Sequence, residues 1–322
     1  MKELTIGKND AGQRLDKFLK KAFPLLPDSL LYKTIRTKDI KVNGKRTDAA
    51  YKLCEGDKLY IYIHDKFLTV PDEEHAYLSV TDDISVVYED ENILLVNKPA
   101  GLVVHADENA SPDTLIARIQ AYLYKKGEYD PQTENSFAPA LCNRIDRNTA
   151  GIVIAAKNAA ALREMNEKIR DRRIDKRYLL AVHGKMTQKS GTLKNYLRKD
   201  ANENKVYIEK QKTPQNVTAI TRYRVLAESG NYTLLEAEIL TGRTHQIRAQ
   251  FAHIGHPLLG DTKYGTAKQN RETGYRYQTL FAYKLTFPAD EKAETLSYLN
   301  GKTFRITDVP FLELFDLSLS AL

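Results

Sequence analysis

Residues 143–156 read NRIDRNTAGIVIAA, that is, Asn143 through Ala156. The second half is a run of β-branched and small apolar residues, the composition of a buried strand. The first half is a polar loop, with Asp146 between Arg144 and Arg147, and with Asn148, Thr149 and Gly151 leading into the strand. The segment therefore sets a carboxylate on a loop at the mouth of a buried strand. Nearby cations favour the charged form of a carboxylate, and a charged carboxylate can act as a nucleophile. Taken alone, the plainer reading is a structural aspartate bridging two arginines in a turn.

Outward from this stretch the pattern alternates irregularly between strands and helices. ISVVY and ILLV flank a turn at Glu89–Asn92. YLLAVHG, VYIEK, VTAITRYRVL, YTLLEAEIL and TLFAYKLTF also read as strands. Leu115, Ile116, Ile119 and Leu123 share one helical face over 114–124, and Leu162, Met165 and Ile169 do so over 159–170. This order predicts an α+β fold with a mostly antiparallel sheet, not a doubly wound one.

Residues 1–64 have a different texture. Leu15, Phe18 and Leu19 fall at i, i+3, i+4 of a first helix. Asp28 is placed to cap a second, running through Leu30, Leu31 and Ile35. Ile40 and Val42 alternate with Lys41 before Asn43-Gly44, a tight-turn signal, and LYIYI at 59–63 reads as a strand. These 64 residues hold 14 Lys/Arg against 8 Asp/Glu, a net +6 of the chain's +7, so residues 65–322 carry only +1. A basic patch of this kind reads as a polyanion footprint or as an ordinary solvated face. Residues 65–83, with Pro71, Asp72, Glu73, Glu74, Asp82 and Asp83, read as a linker, which leaves 84–322 as a second domain.

No apolar run approaches the ~18 residues of a membrane span, and the N-terminus lacks the apolar core of a secretory signal. Cys54 and Cys142 form no CxxC pair, which argues against a disulfide framework or a cysteine zinc site. A cytoplasmic protein is expected.

Three further segments can carry chemistry. In LTGRTHQIRAQFAHIGHPLLGD (240–261) a strand breaks into a helix that Thr244 is placed to cap. If the helix continues, Ile247 and Phe251 share one face and Arg248 and Ala252 another, which aims Arg248 away from solvent or along a cleft rim, where it needs a carboxylate or phosphate partner. The commoner alternative is an arginine on the helix surface. His245, His253 and His256, with Asp261, invite a metal reading, but their spacing matches no established ligand motif, and no metal is expected. In DKRYLLAVHGK (175–185) Tyr178 follows the basic cluster Arg170, Arg172, Arg173, Lys176 and Arg177. It reads as a packed strand tyrosine or as a base-stacking platform. In NKPAGLVVHAD (97–107) the turn at Lys98-Pro99 and Gly101 can present Lys98 to a phosphate, or be only a turn.

Together and in this order, VNKPAGLVVHAD, NRIDRNTAG, KRYLLAVHG and TGRTHQIRAQFAHIGHPLLGDTKYG resemble the RluA family of pseudouridine synthases over residues 84–290. Residues 12–63 resemble the small RNA-binding domain first seen in ribosomal protein S-four, with IRTKDIKVNGKR as its basic strand-turn segment. The pair matches the large-ribosomal-RNA branch of that family. The resemblance implies a mixed, largely antiparallel catalytic sheet with an active-site cleft across it. It implies Asp146 as the catalytic aspartate, Tyr178 as the tyrosine packing on the target uracil, and Arg248 as the basic partner of the aspartate. Arg144 corresponds to the arginine that enters the helix as the base leaves. Arg147, Lys98, Arg243 and His245 are further expected RNA contacts, as are Lys33, Arg36, Lys38, Lys41, Lys45 and Arg46 of the N-terminal domain. The chain departs from the family pattern at Asn143 and Ile145, where HRLDR is common, at Ala150, and at Phe281. The expected partner is RNA, most of all ribosomal RNA, and the expected state a monomer without cofactor, since moving a glycosidic bond from a ring nitrogen to a ring carbon involves no redox change. Rival readings are an RNA-binding assembly factor that has kept the fold and a metal-dependent phosphoesterase built on the histidines.

Overall fold

The structure, a computed structural model, describes residues 1–69, 77, 79–105, 111–289 and 295–319. The N-terminal residues build an antiparallel sheet of β1 (Lys2–Thr5), β2 (Ile40–Val42), β3 (Lys45–Arg46) and β4 (Lys58–Ile61), in the order β1-β4-β2-β3. Helices α1 (Leu15–Ala22) and α2 (Asp28–Thr37) pack on it through Leu15, Phe18, Leu19, Leu31 and Ile35. Asn43 and Gly44 both take positive φ, 52° and 74°, the tight hairpin turn this dipeptide favours. Asp28 does not cap α2. Pro27 holds that position without a side-chain bond, and Asp28 instead pairs with Lys20 at 2.6 Å, still a favourable place for an acid at a helix start.

Phe67 and Leu68 pack on this first core, and Tyr77 is buried in the second. Within the expected linker, Pro71, Asp72, Glu73 and Glu74 lie outside the described residues, whereas Asp82 pairs with Lys125 at 2.8 Å. Ala106 and Asp107, at the end of the NKPAGLVVHAD segment, also lie outside them.

The second sheet is built from β5 (Ser85–Glu89), β6 (Ile93–Lys98), β7 (Ala140–Leu141), β8 (Ala150–Ala156), β9 (Asp175–His183), β10 (Ser190–Asp200), β11 (Lys205–Glu209), β12 (Val217–Ser229), β13 (Tyr232–Ile239), β14 (Leu280–Thr286) and β15 (Thr303–Arg305). Its order is β11-β10-β12-β13-β9-β14-β8-β6-β5, with β15 beside β14 and β7 beside β8. Among the described residues β8 and β14 run parallel and the other pairs antiparallel, so the sheet is mixed and largely antiparallel. The central strands are covered on both faces, and their apolar runs are therefore continuous. Leu94 and Val96 enter one core with α3 (Leu115–Lys125) and α5 (Gln246–His253). Ile93 and Leu95 enter the other, with α4 (Ala159–Arg170) and the C-terminal Phe311, Leu312 and Phe315. The short helix α6 (Ala267–Thr273) follows α5.

The two units also meet through a polar seam. Asp10, 1% exposed, accepts from Asn135 Nδ2 at 2.8 Å and Ser136 Oγ at 2.6 Å. Asn9 donates to Glu134 at 2.7 Å, and its Oδ1 accepts from the amide of Ala159, the first residue of α4, at 3.1 Å. These bonds hold Asn9 and Asp10 against the loop that leads into β7 and against the start of α4, so the chain connection is not the sole tie between the units.

Candidate active site

β14 lies between β8 and β9, with Ala282 opposite Gly151 on one side and Tyr178 on the other. This register brings the loop before β8, which carries Asp146, alongside Tyr178. Gly151 has φ of 115°, and a Cβ there would collide with the Ala282 backbone, so only glycine permits the close parallel pairing.

Behind the loop that carries Asp146 sits Lys98, with no exposed surface. Its ammonium donates to the carbonyls of Pro99, Leu102 and Arg147 at 2.8, 2.7 and 2.8 Å. Burial pulls its pKa down to about 7, with the charge of Asp146 opposing. Lys98 therefore stitches two loops together and does not face a phosphate as expected. All its donors are taken inside the protein. Arg147 is exposed and donates from Nε to the Gly101 carbonyl at 3.0 Å. The Asp146 carbonyl accepts from Thr149 N at 3.0 Å, closing a turn, while Ile145 is buried in the same core as Tyr178, Ile247 and Phe251. The Asp146 carboxylate does not bridge Arg144 and Arg147. Its ion-pair partner is Arg248, and the ring of His245 lies beside the same oxygen.

The helix α5 brings those partners in. Thr244 does not cap it: His245 holds the cap position with φ 51° and no side-chain cap bond. Two buried glutamines do the anchoring. Gln246 donates to Ile220 O at 3.0 Å and Thr221 Oγ1 at 2.9 Å. Gln250 bonds Asn195 at 2.8 Å and accepts from Thr221 at 2.6 Å. Arg248 is thereby fixed, with its side chain only 7% exposed. It grips Asp261 in a fork, Nε–Oδ2 at 2.7 Å and Nη2–Oδ1 at 3.0 Å, and reaches Asp146 Oδ2 with Nη1 at 2.8 Å. Burial works against its charge, yet the bonds to Asp261 and the nearby Asp146 outweigh it and raise its pKa. Asp261 is fully buried and also accepts from the amides of Lys263 and Tyr264 at 2.9 and 3.1 Å.

The Asp146 side chain is 24% exposed, and among the described residues its Oδ1 accepts no hydrogen bond while Oδ2 is held. Tyr178 is buried, and burial together with the charge of Asp146 raises its pKa. A carboxylate open on one oxygen and guided on the other, beside an aromatic ring, suits chemistry on a planar base and its sugar.

The other expected residues are placed as follows. Arg144 and Arg243 are exposed. His245, expected to contact RNA, turns inward towards Asp146, with Nε2 at 3.8 Å from Oδ2. His256 bonds the His183 carbonyl at 2.8 Å and His253 is exposed, so the three histidines do not converge. The basic run before Tyr178 is largely neutralised, with Arg170 on Asp171 at 2.9 Å, Arg173 on Glu167 at 3.2 Å and Arg177 on Glu236 at 2.8 Å. Lys33, Arg36, Lys38, Lys45 and Arg46 are exposed and Lys41 half-buried on the N-terminal unit. There Arg36 and Arg46 line, with Tyr32 and Asp48, an open groove of about 480 Å³. The residues not expected from sequence are Asp261 as the anchor of Arg248, the two glutamines, and Tyr264. The one available signal was that a buried arginine needs a carboxylate.

Known proteins give this geometry a class. Residues 92–253, which span Asp146, Tyr178 and Arg248, match the RNA pseudouridylate synthase family, and residues 13–59 match the S4 domain. The chain belongs to the RNA pseudouridylate synthase family and carries an N-terminal S4 domain, so it is an enzyme that acts on RNA. It is 31% identical over 320 residues to an uncharacterized RNA pseudouridine synthase of Mycoplasma genitalium, covering 96% of both chains. It is 31% identical to ribosomal large subunit pseudouridine synthase C of Haemophilus influenzae, covering 92% of this chain and 90% of that one. Among solved structures, human RNA pseudouridylate synthase domain containing 1 shares the fold, with TM-score 0.57 and 23% identity over 74% of this chain and 88% of that one.

Proposed function

We propose that this synthase isomerises uridines of large-subunit ribosomal RNA and that Asp146 is the carboxylate that acts on the target nucleotide. The observation that carries the reading is the half-open carboxylate, with Oδ2 held by Arg248, Oδ1 accepting no hydrogen bond among the described residues, and its charge felt by the buried Tyr178. A base inside a stack is out of reach of such a site, so the target nucleotide is flipped out, and Arg144, exposed on the same loop, fills the space it leaves. Tyr178 packs on the uracil. With Asp146 acting on the nucleotide, the bond from ribose C1′ to uracil N1 breaks, the base turns and C5 bonds C1′. C5 then loses its proton and N1 gains one, so the change is an isomerisation. A glycosidase needs a second carboxylate to activate water; here water is to be kept out, and one suffices. The ribosomal target rests on the relatives named for the large subunit. The test is tritium release from RNA labelled at uracil C5. Release is expected from large-subunit ribosomal RNA, and release confined to transfer RNA would reassign the substrate.

The N-terminal unit is proposed as the RNA anchor. Lysine and arginine contacts to phosphate release counterions, so affinity falls with salt by about 0.7–0.9 log units per contact per log unit of salt. Replacing Arg36, Lys41 and Arg46 together by alanine is expected to weaken RNA binding and to reduce that slope by about 2–3, with turnover of bound RNA retained. Titrations of labelled RNA at several salt concentrations measure this. Equal slopes would return these cations to an ordinary solvated face.

A further inference from the structure

His245 sits in a backbone conformation that non-glycine residues seldom adopt, φ 51° and ψ 21°, at the first turn of α5. Such a conformation costs on the order of 1 kcal/mol and persists where surrounding structure holds it. What the turn achieves is visible in the imidazole, whose side chain is 9% exposed. Its Nδ1 lies 3.0 Å from the hydroxyl of Tyr264, and its Nε2 faces Asp146 Oδ2 at 3.8 Å. The same hydroxyl accepts from the amide of Val206 at 2.8 Å. Val206 belongs to β11, so the position of this side chain is tied to the sheet.

The hydroxyl and the facing carboxylate together favour one tautomer of the ring. The Tyr264 hydroxyl has one proton, and among the described residues Nδ1 of His245 is its one acceptor. When that proton points to Nδ1, Nδ1 accepts and Nε2 is the protonated nitrogen. The alternative, a hydroxyl accepting from both Val206 N and Nδ1–H, would leave an Nε2 lone pair facing Asp146. The other end of the ring agrees, since an Nε2 lone pair aimed at a carboxylate repels it while an N–H attracts it. Burial lowers the pKa of His245, with Asp146 opposing and Arg248 and Lys263 adding to the fall, so the ring is a neutral donor. Tyr264 also lies under the guanidinium of Arg248, 5.3 Å from ring centroid to Cζ. One tyrosine therefore orders both groups that face Oδ2.

We propose that His245, locked as its Nε2–H tautomer by Tyr264, is a positioning residue that gives Asp146 Oδ2 a second donor beside Arg248 and so selects Oδ1 as the reacting oxygen. This rests on the reading of Asp146 as the reacting carboxylate. The separation of 3.8 Å is longer than a hydrogen bond, and such contacts often tighten when substrate binds. Two donors converging on one oxygen prevent the carboxylate from rotating and present a single lone-pair direction to the flipped nucleotide. His245 is thus a part of the catalytic geometry and not a phosphate contact.

The test uses the full chain with histidine labelled by nitrogen-15, and steady-state turnover of labelled ribosomal RNA. His245→Ala is expected to lower kcat by up to ~100-fold, the cost of a reacting group displaced by about 1 Å, with KM within about twofold of wild type. His245→Gln, whose amide nitrogen can occupy the place of Nε2, should recover a substantial part of kcat. Tyr264→Phe should fall between the two, and its spectrum should show His245 losing the protonated-Nε2 signature seen in wild type. A raised KM at unchanged kcat in His245→Ala would overturn the proposal and make His245 an RNA contact. So would a wild-type spectrum with the proton on Nδ1, a readout that does not depend on the enzyme turning over. If wild-type protein released no tritium from any RNA, the proposed function would fall, while Asp146→Asn should still shift the Nε2–H resonance. An unmoved resonance there would sink the contact itself.

Discussion

Asp146→Asn is expected to abolish isomerisation, lowering turnover by at least ~10⁴-fold, the scale seen when a group that acts covalently or transfers a proton is removed. The substitution is nearly isosteric. Its amide oxygen can still accept from Arg248 Nη1, now 2.8 Å from Oδ2, and the turn closed through the Asp146 carbonyl is untouched. Melting temperature and RNA affinity should therefore stay close to wild type, affinity within about threefold. The loss should fall on kcat with little change in KM, because the carboxylate matters at the reacting atoms more than in ground-state binding. Tritium release and filter binding on the same protein read the two effects apart. Turnover near the wild-type rate would show that the carboxylate is not the reacting group. Lost binding together with lost turnover would instead make Asp146 a structural member of the loop.

How much of this site the sequence discloses depends on whether the signal is local. NRIDRNTAG followed by GIVIAA shows a carboxylate on a loop before a strand, because a polar turn and an apolar run are adjacent in the chain. Arg248 was readable as inward-facing from its helix neighbours Ile247 and Phe251, both buried. Its fork partner was not, since Asp261 lies thirteen positions further on and only the folded turn at Gly260–Gly265 brings it back. Thr244 and Asp28 both looked like helix caps, and in both cases the chain enters the helix by another residue, His245 and Pro27. Propensity names the kind of residue that caps, while tertiary packing decides where the helix begins. Lys98 misled for a similar reason. A lysine in a glycine-containing turn suggests a phosphate, but three carbonyls converge on it only in the folded protein. β10 was not among the expected strands, because Lys194, Arg198 and Lys199 make SGTLKNYLRKD polar. It forms because β11 and β12 offer it partners on both sides.

Arg248→Ala should be the most damaging single change to stability at the site. The guanidinium neutralises Asp261, which is fully buried, and at the same time guides Asp146. Removing it leaves a buried carboxylate with backbone amides but no cation, and breaking such a pair typically costs ~3–5 kcal/mol. For a domain of this size that is a fall in melting temperature on the order of 10 °C. Activity should fall as well, but a destabilised protein gives an ambiguous rate, so two companions are needed. Arg248→Lys keeps a charge but not the planar fork, and it cannot hold both Asp261 oxygens while reaching Asp146. It should regain much of the stability and little of the rate. Pairing Arg248→Met with Asp261→Leu removes both charges, and replacing a buried ion pair by apolar groups is often close to neutral. That double variant should melt well above Arg248→Ala and still be nearly inactive, because Asp146 then lacks its main donor. Thermal melts and tritium release across the three proteins separate the structural half of this arginine from the catalytic half. Wild-type melting and wild-type rate in Arg248→Ala would mean that the linked charges of Asp261, Arg248 and Asp146 do not hold the site together.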